Sequence, residues 1–181
     1  MRNAMKWIVP LMVLCSSLHA ADGFSQWFAH GRFIQESSSQ KMTNGYGAKL
    51  DFTTESDFLN NWRTHWKSVS KIKHNAGIYI VVFFVNVNQI PHTDNDFTFD
   101  ITIRKPDGSI YANMTNMRAP RYRGPATGPM TDSRCLDLAP NFVTVQIQPK
   151  DPAGAYLVEA LVKDNLNRVS FRLEKQLTVE K

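Results

Sequence analysis

Between Pro149 and Asp164 the chain reads P-K-D-P-A-G-A-Y-L-V-E-A-L-V-K-D. The Asp, Pro and Gly residues at its start break regular structure. The run that follows places Tyr156, Val158, Ala160 and Val162 on one side, the period of a strand with one buried face. Such a strand needs a second apolar layer to pack against, and the rest of the chain supplies one. Tyr46 to Thr53 alternates in the same way, with Tyr46, Ala48, Leu50 and Phe52 together. Gly77 to Asn88 is a long apolar run rich in Ile, Val and Phe, the composition of a central strand buried on both faces for part of its course. Phe97 to Arg104 alternates again, with Phe97, Phe99, Ile101 and Ile103 on one side. Lys105-Pro106-Asp107-Gly108 is a turn, since proline pre-sets its first corner and glycine accepts positive φ. Ser109 to Met114 then runs back, which predicts a hairpin over Phe97–Met114. Phe142 to Gln148 is the next strand, and Val169 to Val179 follows a polar turn at Asp164–Asn167.

Asp151, Gly154 and Tyr156 resemble the D-x-G-x-Y phrase of immunoglobulin-like and fibronectin-like β-sandwiches, with one extra residue between Asp and Gly. The resemblance implies that Tyr156 opens strand F and that its hydroxyl bonds to upstream backbone, closing the corner between strands E and F. It makes Gly77–Asn88 strand B and Phe142–Gln148 strand E. Val158 falls where antibody domains carry the second cysteine of their inter-sheet bridge. The fold expected is therefore mainly all-β: an immunoglobulin-like antiparallel β-sandwich of about seven strands over residues 46–181. One short helix is expected near 55–69, because Phe58, Trp62, Trp66 and Val69 recur at helical spacing. Thr54 stands there as N-cap, with Glu55 and Asp57 in the first turn. Arg63 and Lys67, with Lys71 and Lys73 just beyond, form a basic stripe that reads as a solvated face.

The first twenty residues read as an export signal: Arg2 and Lys6, an apolar core from Trp7 to Leu14, and Leu18-His19-Ala20 as the cleavage site. Leu14 before Cys15 does not fit a lipoprotein site. Cleavage leaves 161 residues as one domain and lowers the formal net charge from +5 to +3, which gives no support for nucleic-acid binding. After cleavage no segment is long enough to span a bilayer. Cys135 is then the single cysteine, so no intrachain disulfide forms and the core must supply the stability. Residues 21–45 form an N-terminal extension with Phe24, Trp27, Phe28 and Phe33. Both a docked element and an exposed arm for strand addition fit it.

Residues 115–140 hold four prolines and two glycines and read as a long loop, a length usually tied to function or disorder. Arg118, Arg121, Arg123 and Arg134 lie there with Tyr122, the residue types enriched where proteins bind one another. Met114, Met117 and Met130, with Cys135, offer soft sulfur suited to Cu(I), although methionine is also a routine packing residue. His30, His65, His74 and His92 are scattered without metal-ligand spacing. The carboxylate pairs Asp94/Asp96 and Asp132/Asp137 fall in loops. No nucleophile elbow, P-loop or dinucleotide glycine pattern occurs. Asn113-Met114-Thr115 matches the glycosylation sequon and is read as a chance match. The expected function is that of an exported, non-catalytic protein-binding or envelope-assembly accessory, periplasmic or secreted, without cofactor. Its partner would be another envelope or secreted protein. The alternatives are a periplasmic copper carrier using the methionines and a secreted inhibitor inserting the arginine loop into an acidic cleft.

Overall fold

The computed structural model describes residues 35–61, 65–86, 96–118 and 142–181, together with the backbone of three short strands. Residues 1–20, read above as an export signal, Trp62 and Arg63, and the arginine segment from Arg121 to Arg134 lie outside the described residues. The elements in chain order are β1 (Phe28–Ala29), β2 (Arg32–Phe33), β3 (Gln40–Thr43), β4 (Tyr46–Thr53), α1 (Phe58–Asn61), β5 (Lys71–Lys73), β6 (Gly77–Asn86), β7 (Phe97–Arg104), β8 (Ile110–Arg118), β9 (Leu136–Leu138), β10 (Val143–Gln146), β11 (Gly154–Asp164) and β12 (Val169–Glu180).

Two sheets face each other. One has the order β10-β6-β4-β3, with β9 on the same edge of β6 as β10. The other has the order β5-β12-β11-β7-β8. β1 and β2 form a separate hairpin. Strand B (β6) pairs with E (β10) in one sheet, and G, F and C (β12, β11, β7) lie side by side in the other, which is the immunoglobulin-like arrangement. Every pairing is antiparallel except β12 with β5. The layers form because the alternating residues of each strand meet between the sheets. Leu50 and Phe52 of β4, Ile80 and Val82 of β6, Phe99 and Ile101 of β7 and Tyr156 and Val158 of β11 share one buried cluster. Val158 is fully buried there, so apolar packing occupies the place of the bridging cysteine.

The helix is shorter than its apolar spacing predicts. It spans Phe58–Asn61, and residues 65–69 have no regular structure. Phe58 and Trp66 still meet, with ring centroids 5.9 Å apart, on the outer face of the smaller sheet. There Trp66 also stands edge-on to Phe83 at 4.8 Å, and Phe58 packs on Tyr79 and Phe142. The aromatic residues thus serve a second apolar layer outside the sandwich, and a longer helix is not needed to bring them together. Lys71 and Lys73 belong to β5, not to the helix.

The return strand of the predicted hairpin continues past Met114 to Arg118. It carries two bulges, each with an extra residue on the β8 side. At one of them Asn116 takes φ of 55°, and its N–H donates to Asp100 Oδ1 at 2.7 Å.

Candidate functional site

The corner between β10 and β11 positions the end of the sandwich from which the β7–β8 turn projects. Tyr156 Oη donates to the carbonyl of Pro152 at 2.8 Å, and the ring is fully buried. Asp151 is the acceptor for Tyr111 Oη at 3.1 Å and for the Gln148 N–H at 3.0 Å. Gly154 has φ of 134°, and a Cβ there would lie 2.9 Å from Cγ of Pro106, so the corner and the β7–β8 turn touch. Burial raises the hydroxyl pKa of Tyr156, and the nearby Asp151 charge adds to it. Burial and the bond to Asp151 do the same for Tyr111. Tyr156 thus makes the hydroxyl-to-backbone bond that the resemblance implies, with Asp151 and Gly154 beside it in the same corner.

The predicted recognition residues are represented by Arg118. It ends β8, its side chain is 67% exposed, and its Nε lies 4.0 Å from Asp96 Oδ1. Arg121, Tyr122, Arg123 and Arg134 are outside the described residues, as are Met130 and Cys135. Met114 and Met117 do not lie in a loop. They sit in β8 opposite Ile101 and Phe99 and pack half-buried against the core. The bulge between them returns both to the same side, which explains why residues three apart share a face. His65 approaches Glu55 at 3.4 Å, and His74 Nε2 lies 3.1 Å from the Asp151 carbonyl. Among the described residues no group of three His, Cys, Asp or Glu converges on one point.

Two clusters of charged residues escaped the sequence reading. The first is buried. The second face of β4, with Lys49, Asp51 and Thr53, is enclosed as fully as the first. Asp51 is 1% exposed. Its carboxylate accepts from the Trp66 indole N–H at 3.1 Å, the Ser68 hydroxyl at 2.6 Å, the Phe52 N–H at 2.8 Å and the ammonium of Lys175. Lys49 Nζ lies 3.6 Å away and donates to Gln40 Oε1 at 2.9 Å. Burial by itself would raise the Asp51 pKa, but Lys49, Lys175 and the hydroxyl donor outweigh it and hold the carboxyl below its ordinary range. For Lys49 burial prevails over the attraction of Asp51, and Lys175 adds repulsion, so its pKa is lowered. Lys175 is in phase with the inward residues Leu173 and Leu177 of β12 and passes over the Phe52 ring at 5.1 Å. The cluster therefore joins the two sheets along one seam.

The second cluster is open. The outer face of the five-stranded sheet carries a groove of about 280 Å³. The register sets Asn113, Thr102, Glu159 and Glu174 in one row across four strands. Beside it, Asp100, Leu161 and Arg172 form a second row. Arg104 Nε lies 2.6 Å from Glu159 Oε2, Lys163 Nζ lies 3.8 Å from Asp100 Oδ2, and the Thr102 hydroxyl donates to Asn113 Oδ1 at 3.0 Å. Arg172 and Glu174 are exposed and have no ion-pair partner among the described residues. Strand alternation alone turns these residues outward. Their alignment in rows depends on register, which local sequence does not contain.

No known protein family and no curated protein sequence matches the chain. Among solved structures, the chain is similar to the C-terminal domain of wzt, at 12% identity over 83% of this chain and 81% of that one, with a TM-score of 0.42. It is similar to a CARDB domain from Pyrococcus furiosus solved with two metal ions, at 12% identity over 81% and 98%, with a TM-score of 0.38. It is also similar to an immunoglobulin-like protein from Pseudomonas aeruginosa, at 11% identity over 81% and 99%, with a TM-score of 0.33. Likeness at this level carries no functional argument. The immunoglobulin-like assignment stands on the sheet order and the tyrosine corner described above. No helix among the described residues is long and apolar enough to cross a membrane.

Proposed function

We propose that this β-sandwich is an exported, non-catalytic accessory protein, periplasmic or secreted, that binds another envelope or secreted protein through the arginine-bearing stretch leaving β8. The observation that carries this reading is the position of Arg118. It stands exposed at the end of a sheet-edge strand, held by the bulge that Asp100 caps, and opens the stretch that holds Arg121, Tyr122, Arg123 and Arg134. Arginine and tyrosine combine contact area with directed hydrogen bonds, which is why they dominate binding hot spots. A rigid sheet end presenting Arg118 lowers the ordering cost of association at that residue. The basic start, apolar core and Leu18-His19-Ala20 of the first twenty residues support export, and the sequence offers no residue pattern for acyl, phosphoryl or hydride transfer.

The test is affinity capture from envelope extract with the mature protein, read against the variant carrying Arg118→Ala, Arg121→Ala and Tyr122→Ala. A specific partner retained by wild type and lost by the variant, with both proteins equally folded, is the expected result. A partner set that is identical for the two proteins would refute the assignment of binding to this stretch.

A further inference from the structure

We propose that the groove on the five-stranded sheet is a second binding site, one that takes a linear, uncharged or amino-bearing polysaccharide lying at right angles to the strands. The proposal concerns a different surface from the arginine stretch and stands or falls separately from it.

The geometry of the rows carries the inference. Asn113, Thr102, Glu159 and Glu174 come from β8, β7, β11 and β12, one side chain per strand. Adjacent strands are about 4.8 Å apart, so a ligand crossing them meets a new hydrogen-bonding group at that interval. This is close to the advance of one sugar ring along an extended pyranose chain. An extended peptide advances only about 3.3 Å per residue and does not keep step.

The chemistry of the lining agrees. Carboxylates, a carboxamide, a hydroxyl and guanidinium groups together both donate to and accept from ring hydroxyls. Arg104 holds Glu159 and Lys163 approaches Asp100, so part of the lining is fixed before a ligand arrives. Half-buried Leu161, in the neighbouring row, offers an apolar patch to the C–H face of a sugar ring.

Other ligand classes fit less well. The groove is too polar for an acyl chain. Arg104 answers Glu159, Lys163 answers Asp100 and Arg172 offsets Glu174, so the groove has no net charge to hold a phosphate-bearing or uronate polymer. Within the row itself the one unanswered charge is the Glu174 carboxylate. Main-chain groups on a sheet face are already used in the ladders, so the face gives a peptide backbone nothing to pair with; peptides add at edges.

The experiment is isothermal titration of the mature protein with hexasaccharides of β-1,4-linked glucose, β-1,4-linked N-acetylglucosamine, β-1,4-linked glucosamine, β-1,4-linked mannose and β-1,4-linked glucuronate, and with an unrelated extended peptide of similar length. At least one of the four uncharged or amino-bearing hexamers should bind with Kd below about 1 mM. The double variant Asn113→Ala/Glu174→Ala should weaken it by about tenfold. Gln176→Ala, on β12 outside the groove, should bind as wild type, and all three proteins should melt alike. Absence of binding by all four uncharged or amino-bearing hexamers would overturn the proposal. So would preference for the glucuronate polymer or the peptide, or binding that the double variant retains in full.

Discussion

The outer faces of the two sheets use the same kinds of side chain to opposite ends. On the smaller sheet Asp51 and Lys49 meet Lys175, which reaches across from β12, beneath Trp66 and Ser68 and almost out of reach of water. On the larger sheet Arg104 and Glu159 meet at 2.6 Å, with over a third of each side chain still exposed. In water an ion pair gains little, because the solvent already stabilises both charges and salt screens them. Out of water each member depends on the other, and removing one strands its partner in a medium that cannot solvate it. The first face is thereby committed to holding the fold. The second keeps its charged and polar groups available to a ligand.

The largest test of this contrast is Asp51→Asn. The change is close to isosteric, but it removes the anion shared by Lys49 and Lys175. It should cost about 3–5 kcal/mol, and on the order of 10 °C in Tm for a chain of this size. Because the folded Asp51 pKa is depressed, its contribution is fully present above the unfolded carboxylate value of about 3.9. It is lost as pH falls through the lower folded value. Denaturant titrations should therefore show the difference between wild type and variant shrinking below about pH 4. A constant difference down to pH 2 would mean that Asp51 is not held as an anion by the lysines.

Gly154→Ala tests the corner, which belongs to neither outer face. A Cβ at φ of 134° would also press on Pro106, and a loss of about 1–3 kcal/mol is expected. Calorimetry that finds no loss would show that the β7–β8 turn yields freely.

Tyr156→Phe removes one buried hydrogen bond and should cost about 1 kcal/mol. The raised pKa values of Tyr156 and Tyr111 mean that the unfolded chain releases those protons first. Stability should accordingly fall as pH rises through about 10. The phenylalanine variant should show a shallower fall, and an unchanged slope would remove Tyr156 from that account.

The smallest effect is expected for Glu159→Gln in the open groove. It should alter stability by no more than about 1 kcal/mol, and half-molar salt should erase most of the difference. A loss as large as that of Asp51→Asn would end the distinction between the two faces.

Much of the sandwich is legible in the chain because alternation and turn chemistry are local. Phe97 to Arg104 is the seventh strand with the bounds its pattern predicts, and the Pro-Asp-Gly turn follows it. Tyr156 bonds to Pro152 as its phrase implies, because the corner closes within four residues. The one short helix expected near 55–69 is present, at Phe58–Asn61. Its aromatic period reflects a shared destination against Tyr79, Phe83 and Phe142, which a short turn also reaches. Met114 and Met117 looked like loop ligands because the bulge that turns both inward depends on Asp100, a residue on another strand.

The sequence by itself determined which residues form strands, which faces of most strands are apolar and where the tyrosine corner closes, since each follows from neighbours along the chain. The tertiary structure alone decided that Lys49-x-Asp51 lies on a buried second face and that Lys175, 124 positions from Asp51, completes its ion pair. It alone decided that Asn113, Thr102, Glu159 and Glu174 stand in one row. Those placements depend on strand register and sheet order, which arise from the packing of distant segments. No stretch of local pattern contains them.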